Sequence, residues 1–408
     1  MTTLLVLGGA DGALGTLRLA RTLGVHTICA DARADAPGAA AADELLNVST
    51  LAVPAIVAAL RGRRVDGVVS PASDVNLPSQ YALATRLGLP CGLSEEAVRA
   101  SVDKGYFRSV CDGLGLPGPR WWQGRHRQAR QGLRDAAVPW PLMVKPTDSS
   151  GSRGITRVAE PAGLGPALAA AAAFSRRDVV IVEEFLTGRH FTAEAVVVDG
   201  RIAATGVTER RLTDPPYFVT TEHWMPGGDH AGDLAGDLAE DLSGRARPVL
   251  DQLCAALGYR WGALNADLLL TPDDRLVVGE WGARTGGNGV AELLGLAYGV
   301  DATEVYVRMA LGERVEVSAE PRGHAAFRVL GAPVEGKLVG VDGIEAARAV
   351  PGIADVVVAA ALGDTVVPYT RAGAKLGYLL ASGPGRAAVA ESLSAAESAL
   401  RFDIEPDA

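Results

Sequence analysis

Two acidic residues, Asp267 and Glu280, lie on either side of a turn between two apolar segments of the sequence. With the turn at about 272–274, the segments form an antiparallel hairpin, and the period of two along a strand places both carboxylates opposite each other on one face. Two acids facing each other among leucines and valines repel and are poorly solvated unless a cation lies between them. Mg²⁺ is the expected cation, because it commonly binds one or two carboxylates plus substrate phosphates. The alternative is that both carboxylates face solvent.

An arginine follows four residues after Glu280, in the segment Glu280-Trp281-Gly282-Ala283-Arg284-Thr285-Gly286-Gly287-Asn288. The glycine-containing loop would leave the Arg284 guanidinium near the metal. There it would stabilise negative charge that develops on a transferred phosphoryl group.

A lysine followed by a Ser/Gly-rich stretch, MVKPTDSSGSRG, occupies positions 143–154. An apolar run delivers Lys145 at a strand end, and Ile155–Val158 is predicted to be the return strand. Backbone N–H groups of the glycines, the serine hydroxyls and the mobile lysine cation would all contact an anion. The sequence lacks GK[ST] and a following helix, which excludes a Walker-type loop. The alternative is a polar hairpin turn.

The first hundred residues predict a parallel-sheet domain. The strand Leu4–Leu7 leads into the glycine-rich GGADGALG, and the strand Val25–Ala30 ends at Asp31. The glycine spacing fits GxGxxG poorly, so NAD binding with Asp31 on the ribose is less favoured than a domain whose strand ends hold a small substrate. Ser73 and Asp74, at another strand end, are then candidate substrate contacts or merely helix caps.

Four further patterns position these residues. A helix begins near Lys104, and Asp199-Gly200 predicts a tight hairpin turn. A long loop is expected over Pro215–Gly228, and the helical periodicity of Leu238–Leu257 predicts a long helix. From about Glu313 the chain is expected to form a smaller α+β unit.

Composition excludes several classes of protein. The 408 residues are 48% apolar and 21% charged, as in a globular protein of two or three domains, and the net charge of −9 argues against nucleic acid or anionic membrane as partner. Four scattered cysteines without CxxC spacing are expected to be buried thiols rather than disulfides or zinc ligands. No signal peptide or membrane span is recognised, so a cytoplasmic location is expected.

The order of these parts resembles the ATP-grasp superfamily. The matching segments are DKGYFR, VKPTDSSGSRG, EEFLTGRHFTAE, the loop ending HWMP, and an aspartate followed by EWGARTGG. The closest likeness is to carboxylate–amine ligases that join amino acids, such as L-amino-acid (dipeptide) ligases. This resemblance implies an α/β fold with four parts: a Rossmann-like leading domain (1–100), linking helices and an ATP-binding lid (101–186), an antiparallel-sheet core (187–312) and a C-terminal α+β subdomain (313–408).

The resemblance also implies residue roles. Lys104 and Lys145 would bind ATP phosphates, positions 149–154 would form the lid loop, positions 183–186 would be the hinge that reads adenine, and His190 would replace the acid that commonly binds the ribose. The implied nucleotide contacts are Lys104, Lys145, Ser149, Ser150, Gly151, Ser152, Gly154, Glu183, Glu184, Phe185, Leu186 and His190. The implied metal ligands for two Mg²⁺ ions are Asp267 and Glu280, and the implied catalytic residues are Arg284 and Lys145. The candidate substrate contacts are Ser73, Asp74, His223, Gly287 and Asn288.

The sequence departs from the family at one metal ligand. Many ATP-grasp enzymes have Glu-x-Asn, with the asparagine on the second Mg²⁺, whereas this chain has Gly282 there. Either Glu280 bridges both ions, or Asn265 or water substitutes, or one ion binds weakly.

These features predict an ATP-dependent ligase. A carboxylate would attack the γ-phosphate of ATP, and an amine would then attack the acyl phosphate, releasing ADP and phosphate. Three alternatives stay open: a ligase for a purine-pathway or bicarbonate substrate, a nucleotide-binding regulator without turnover, and a nicotinamide dehydrogenase. The expected partners are a small acid and a small amine, and a homodimer is the base-rate expectation for assembly.

Overall fold

A computed structural model of the chain describes residues 1–149, 153–214, 217–227, 234–287 and 289–406. Four residues predicted to contact nucleotide or substrate lie outside the described residues: Ser150, Gly151, Ser152 and Asn288.

The leading region forms a parallel sheet, as predicted, and its four strands lie in the order β3-β2-β1-β4. Its strands are β1 (Thr3–Leu7), β2 (His26–Ala30), β3 (Glu44–Leu46) and β4 (Gly67–Val69), and its helices are α1 (Leu14–Thr22), α2 (Pro37–Ala41), α3 (Val53–Ala59) and α4 (Leu77–Leu87). Strand β1 is buried along its whole length, because a parallel sheet covered on both faces requires continuous apolar strands.

The glycine-rich turn after β1 is closed by the protein itself. The Gly9 N–H donates to Asp31 Oδ2 at 2.8 Å, and the Gly38 N–H of α2 donates to the Gly9 carbonyl at 2.7 Å. A Cβ added to Gly38 would lie 2.7 Å from the Gly9 Cα. The Gly9 N–H and the Gly9 carbonyl are therefore already paired within the protein, which leaves the turn fewer backbone groups for a dinucleotide and disfavours the NAD hypothesis.

Two helices link the leading sheet to a second, antiparallel sheet, which we call the lid sheet. The helices are α5 (Glu95–Val102) and α6 (Lys104–Gly113). The lid sheet, in the order β5-β8-β6-β7, contains β5 (Trp121–Arg125), β6 (Leu142–Pro146), β7 (Thr156–Val158) and β8 (Val179–Glu184), with helices α7 (Ala129–Asp135) and α8 (Leu164–Phe174). Strand β7 pairs antiparallel with β6, so the strand–loop–strand prediction at Lys145 is confirmed.

The catalytic core adds five strands and three helices. These are β9 (Arg189–Val198), β10 (Arg201–Leu212), β11 (Thr220–Met225), α9 (Leu234–Ala256), β12 (Gly262–Leu270), β13 (Leu276–Gly282), α10 (Val290–Tyr298) and α11 (Ala302–Ala310). The predicted turn at Asp199-Gly200 joins β9 to β10, and both of its residues have positive φ, as a two-residue hairpin turn requires.

The prediction of a long loop over Pro215–Gly228 is wrong for its second half, because Thr220–Met225 forms strand β11. This strand lies inside the sheet, paired with β10 on one side and with the C-terminal segment on the other. The β-branched and aromatic residues of TTEHWM, with a neighbouring strand on each side, favour extended structure.

The C-terminal segment completes the same sheet. It contains β14 (His324–Gly331), β15 (Gly336–Asp342), α12 (Ile344–Arg348), β16 (Ile353–Val358), β17 (Thr365–Val366), β18 (Lys375–Gly383), α13 (Arg386–Ala399) and β19 (Arg401–Glu405). The large sheet has eight strands in the order β13-β12-β9-β10-β11-β14-β18-β16, and β17-β15-β19 form a small separate sheet. The predicted boundary near residue 313 therefore lies between neighbouring strands of one sheet, and the four-part division stays a prediction.

Short 3₁₀ turns complete the secondary structure, at Asp11–Ala13, Asp74–Asn76, His126–Gln128, Pro161–Gly163 and Ala372–Ala374. Across the described ranges, no helix is both long and apolar enough to cross a membrane.

Candidate active site

A cleft of about 760 Å³ runs between the lid sheet, the large sheet and the leading sheet. Its walls include Met143 from the lid sheet, Phe185 directly after it, Asp267 from the core, Asp74 from the leading region and Lys375 from the C-terminal segment. A side recess of about 390 Å³ adjoins it. The recess and the cleft share the wall that carries Asp74, Asp267, Glu280 and Arg284. Both volumes are in the range of small-molecule and cofactor sites.

A buried ion network lies at the lid end of the cleft. Glu183, on β8, accepts from Lys145 Nζ at 2.6 Å and from Arg108 Nε at 2.6 Å, and its side chain is 5% exposed. Arg108 also donates to the Val278 carbonyl at 2.8 Å. Burial alone would raise the pKa of Glu183, but Arg108 and Lys145 outweigh it and lower the pKa to about 2. Sequence reasoning missed Arg108, although it lies in the quoted DKGYFR segment.

The hinge backbone is fixed by neighbouring carbonyls. The Glu184 and Phe185 N–H groups donate to the carbonyls of Arg120 and Pro141, both at 2.8 Å. The N–H groups of Glu184 and Phe185 are thus already paired, and the contact of Glu184 and Leu186 with adenine stays a prediction. Glu184, Phe185 and Leu186 all line the cleft.

Lys104 connects the lid loop with one of the two predicted metal ligands. It is the first residue of α6, whose N-cap Asp103 accepts from the Gly105 and Tyr106 N–H groups. Its Nζ lies 3.1 Å from the Ser149 carbonyl and 3.2 Å from Glu280 Oε1. The lysine therefore sits where the lid loop begins.

Gly154, at the other end of the lid loop, has a φ of +71°. A Cβ there would lie 2.8 Å from Phe174 Cδ2, so the position favours glycine on both counts.

The two acids are direct partners in the β12–β13 hairpin, with Asp267 opposite Glu280 and a bulge immediately after Asp267. Both line the cleft, where the Glu280 side chain is 47% exposed and the Asp267 side chain is 35% exposed, so each carboxylate is open to solvent as well as to a cation. Asp267 Oδ2 lies 2.5 Å from Arg210 Nη1, and Oδ1 accepts from Thr192 Oγ1 at 3.1 Å. Burial would raise the pKa of Asp267, but Arg210 and Thr192 outweigh it and lower the pKa.

The donor set fits Mg²⁺ held together with a nucleotide. Among the described residues, no group of three or more His, Cys, Asp or Glu side chains could hold a metal ion. Two carboxylates from one hairpin are what the protein supplies, and Mg²⁺ commonly completes such a set with substrate phosphates and water.

Arg284 is held by acceptors from two different regions of the chain. Its Nη2 donates to Asp74 Oδ2 at 2.7 Å, and its Nη1 donates to Asn265 Oδ1 at 2.9 Å. Two buried polar atoms at this point, Arg284 Nε and Asp74 Oδ1, have no hydrogen-bond partner. Buried polar groups are nearly always paired, so these atoms point to a polar ligand in the cleft.

The same pair explains the glycine at position 282. A Cβ on Gly282 would lie 2.7 Å from Asp74 Oδ1 and 3.0 Å from Arg284 Cζ. The Asp74–Arg284 ion pair therefore fills the space that an asparagine side chain at position 282 would need. Asn265 already accepts from Arg284, which weakens its candidacy as a substitute metal ligand.

Glu194, which sequence reasoning missed, anchors the arginine loop. This fully buried residue of β9 accepts from the Gly286 N–H at 3.0 Å to both oxygens and from Asn265 Nδ2 at 2.9 Å. Burial raises the pKa of Glu194 to about 8, against the hydrogen bonds that lower it. A lone acid in the apolar run FTAEAVVV was the available signal, because such a residue must find buried donors.

Replacing Glu194 with glutamine is expected to lower turnover at least tenfold and leave the KM for ATP unchanged. Glutamine presents one oxygen where the carboxyl group presents two, so either Gly286 or Asn265 loses its acceptor and the Asn265 amide turns its NH₂ group toward Arg284. Steady-state kinetics of ADP release measures kcat and the KM for ATP separately. Glu292→Gln is the control, since Glu292 is also a buried acid of raised pKa but lies outside the contacts of Arg284 described above. An unchanged kcat in Glu194→Gln would contradict the anchoring role.

Both predicted histidines line the cleft. His223, on β11, is buried and its Nδ1 lies 2.9 Å from Thr208 Oγ1. Burial and the nearby Arg210 lower its pKa to about 3, so the ring is neutral and acts through hydrogen bonds only. Burial and Arg210 also lower the pKa of His190, so a ribose hydroxyl there would meet a neutral imidazole.

The other predicted substrate contacts, Ser73 and Gly287, also line the cleft. Their neighbour Ala72 connects the leading region with the arginine loop, since the Ala72 N–H donates to Thr285 Oγ1 at 3.2 Å. A Cβ on Gly287 would lie 3.8 Å from the Ala72 Cβ.

Two family models match separate parts of the chain. The D-ala D-ala ligase C-terminus model matches residues 112–286, which include the lid sheet and the facing acids. The L-amino acid ligase C-terminal domain 2 model matches residues 328–405.

Curated relatives match at low identity. The uncharacterized protein y4rH of Sinorhizobium fredii is 28% identical over 77% of this chain, and the match spans 64% of that relative's length. The formate-dependent phosphoribosylglycinamide formyltransferase of Mycolicibacterium gilvum is 24% identical, covering 86% of this chain and 85% of the relative.

Solved structures match over almost the whole fold. An L-amino acid ligase from Bacillus licheniformis has a TM-score of 0.82 at 20% identity, covering 99% of both chains. Phosphoribosylglycinamide synthetase from Anaerococcus prevotii has a TM-score of 0.76 at 19% identity, covering 99% of this chain and all of that one. These likenesses show that the chain has the ATP-grasp fold, and the two family models agree with the resemblance that the order of the motifs along the chain indicates.

Proposed function

We propose that the protein is an ATP-dependent carboxylate–amine ligase that joins an amino acid or other small acid to an amine through an acyl phosphate. The observation that carries this proposal is the wall shared by the cleft and the side recess. There the carboxylates of Asp267 and Glu280 face each other, and Arg284 is hydrogen-bonded to Asp74 and Asn265. Arg284 Nε and Asp74 Oδ1 are buried there without a hydrogen-bond partner. A protein that only bound a nucleotide would need the carboxylates but not a positioned guanidinium.

The charged residues of the cleft and the side recess have distinct tasks in this reaction. Lys145 and Lys104 neutralise the phosphates of ATP, and the lid hairpin covers them and excludes water from the activated acid. Asp267 and Glu280 would hold Mg²⁺, which polarises the phosphoryl oxygens when bound. With Asn265 committed to Arg284, Glu280 and water are the ligands left for a second ion.

Arg284 stabilises the charge that develops on the substrate. The substrate carboxylate attacks the γ-phosphorus, the bond to the bridging oxygen of ADP breaks, and the acyl phosphate forms. The amine then attacks the acyl carbon, phosphate leaves, and the amine loses a proton. Arg284 is fixed by Asp74 and Asn265 before either step, so little reorganisation is needed as the charge appears.

The substrate end of the cleft favours an amino-acid substrate over a phosphorylated one. Asp11, Asp31 and Asp74 lie at the carboxyl ends of the leading strands and line the cleft. A ribose phosphate would require a basic cluster at these positions.

A purine-pathway ligase is the second candidate, favoured by the formyltransferase relative that matches 86% of the chain.

The test measures ADP release in the presence of Mg²⁺, with product identification by mass spectrometry. Pairs of L-amino acids are compared with formate plus glycinamide ribonucleotide. Acid-dependent ADP release with an amide product from amino-acid pairs supports the first candidate. No release from any pair, while the ribonucleotide is formylated, would replace it with the second. Asp267→Asn is the inactive control.

A further inference from the structure

Lysine is rare in this chain, which has four lysines beside 35 arginines. Two of the four, Lys145 and Lys375, line the cleft, and Lys104 lines the side recess. The fourth, Lys337, is exposed on the small C-terminal sheet. A chain that uses arginine for most of its cations keeps lysine mainly where a compact, mobile ammonium lies in the site. Two of the three have a task on ATP, and the third has none assigned.

Lys375 reaches the cleft from the C-terminal segment. It is the first residue of β18 and directly follows the 3₁₀ turn Ala372–Ala374. Its Nζ lies 2.6 Å from Asp11 Oδ2, and the lysine side chain is 9% exposed while that of Asp11 is 27% exposed. The pair therefore joins the first and last parts of the chain across the substrate end of the cleft.

Small residues lie between this pair and Arg284. A Cβ on Gly12 would lie 2.8 Å from the Ala72 Cβ. The Ala72 N–H in turn donates a hydrogen bond to Thr285, the residue after Arg284. A Cβ on Gly373 would meet no atom within 4 Å, which shows open space beside Lys375. The cleft therefore continues from Arg284 to Lys375 without a bulky side chain at these positions.

We propose that Lys375 binds a second carboxylate of the substrates, the one carried by the amine, and that Asp11 is the counter-ion that holds the ammonium in place beforehand. This inference rests on the proposed ligase function. The carboxylate to be phosphorylated must lie at Arg284, so a cation at the C-terminal side of the cleft meets a different group. The Lys375 ammonium offers a single positive charge at this position, which matches a singly charged carboxylate better than a doubly charged phosphate. The amine substrate is then an amino acid or another amine that bears a carboxylate.

The test compares amino acids with their C-terminal amides, which retain the amine but lack the carboxylate. Binding is measured first, as the rise in Tm of the MgADP-saturated protein on adding each L-amino acid or its amide. KM values then follow from ADP release for the best acceptor and its amide. We expect wild type to prefer the acid about tenfold or more, the size of a charge-assisted hydrogen bond. Lys375→Met should remove that preference by weakening the binding of the acid and leaving the binding of the amide unchanged.

Two further variants separate binding from a structural clamp. Asp11→Asn keeps a side-chain oxygen that can hold the ammonium but removes the competing negative charge, so a subsite predicts an equal or lower KM for the acid, whereas a clamp predicts the same loss as in Lys375→Met. Lys337→Met is the matched surface control and should change the binding of neither the acid nor the amide.

Each outcome decides the matter. Equal binding of acids and amides by wild type overturns the subsite, and so does an equal loss for both in Lys375→Met. If the binding preference depends on Lys375 but no pair releases ADP, the subsite stands and the proposed reaction fails.

Discussion

Replacing Arg284 with alanine is expected to lower kcat for ADP release about a hundredfold or more. The guanidinium is positioned by Asp74 and Asn265 before the substrate carboxylate attacks, and alanine removes the donor that meets the developing negative charge. Initial rates at saturating ATP and substrates measure the loss. Binding of ATP, measured by titration calorimetry, is expected to stay within a few-fold of wild type, because Lys104 and Lys145 remain.

Arg284→Lys tests geometry apart from charge. Lysine keeps the charge but does not reproduce the planar fork that reaches two acceptors, so most of the loss should persist. Arg275→Ala, which removes an exposed arginine at the turn of the β12–β13 hairpin, should retain full activity. Full activity in a folded Arg284→Ala protein would sink the catalytic assignment.

Replacing Glu183 with glutamine is expected to lower the free energy of unfolding by about 3–5 kcal/mol. The change leaves Arg108, which is 5% exposed, without its counter-charge, and it also releases Lys145 toward the cleft. Urea unfolding at pH 7 measures the difference. Glu304→Gln, which breaks a surface pair with Arg308, is the contrast and should cost less than about 1 kcal/mol.

The effect of Glu183 has a defined pH dependence. Because its pKa is about 2 in the folded protein and near 4.5 when unfolded, its contribution is complete above pH 4.5 and is lost as the pH falls toward 2. The stability gap between wild type and Glu183→Gln should therefore narrow below pH 4.5. A gap that stays constant from pH 5 to pH 3 would mean that ionised Glu183 does not stabilise the fold.

Local patterns in the sequence predicted the parts of the site that one hairpin builds. Asp267 and Glu280 are paired because a period-two pattern and a polar turn fix their register, and the same reasoning placed Lys145 before a return strand. His223 was placed in a loop because nothing local shows that β11 has neighbours on both sides. Pairing with β14 depends on residues about a hundred positions later.

The contacts that hold Arg284 could not be predicted, since they join distant parts of the chain. Asp74 and Arg284 are 210 residues apart, and Glu194 reaches Gly286 over 92. No spacing rule links such positions, and only the folded arrangement of three sheets brings them together. Lys375 was open to prediction by counting lysines, but its partner Asp11 was not.

Strand β11 has a consequence for any shortened form of the protein. It is an interior strand whose outer neighbour, β14, comes from beyond residue 312. A chain ending there would bare the backbone N–H and C=O groups of TTEHWM, an unprotected edge that invites pairing between copies. The C-terminal segment thus covers an edge of the core as well as completing the cleft, and a chain shortened by its last hundred residues is expected to self-associate through β11.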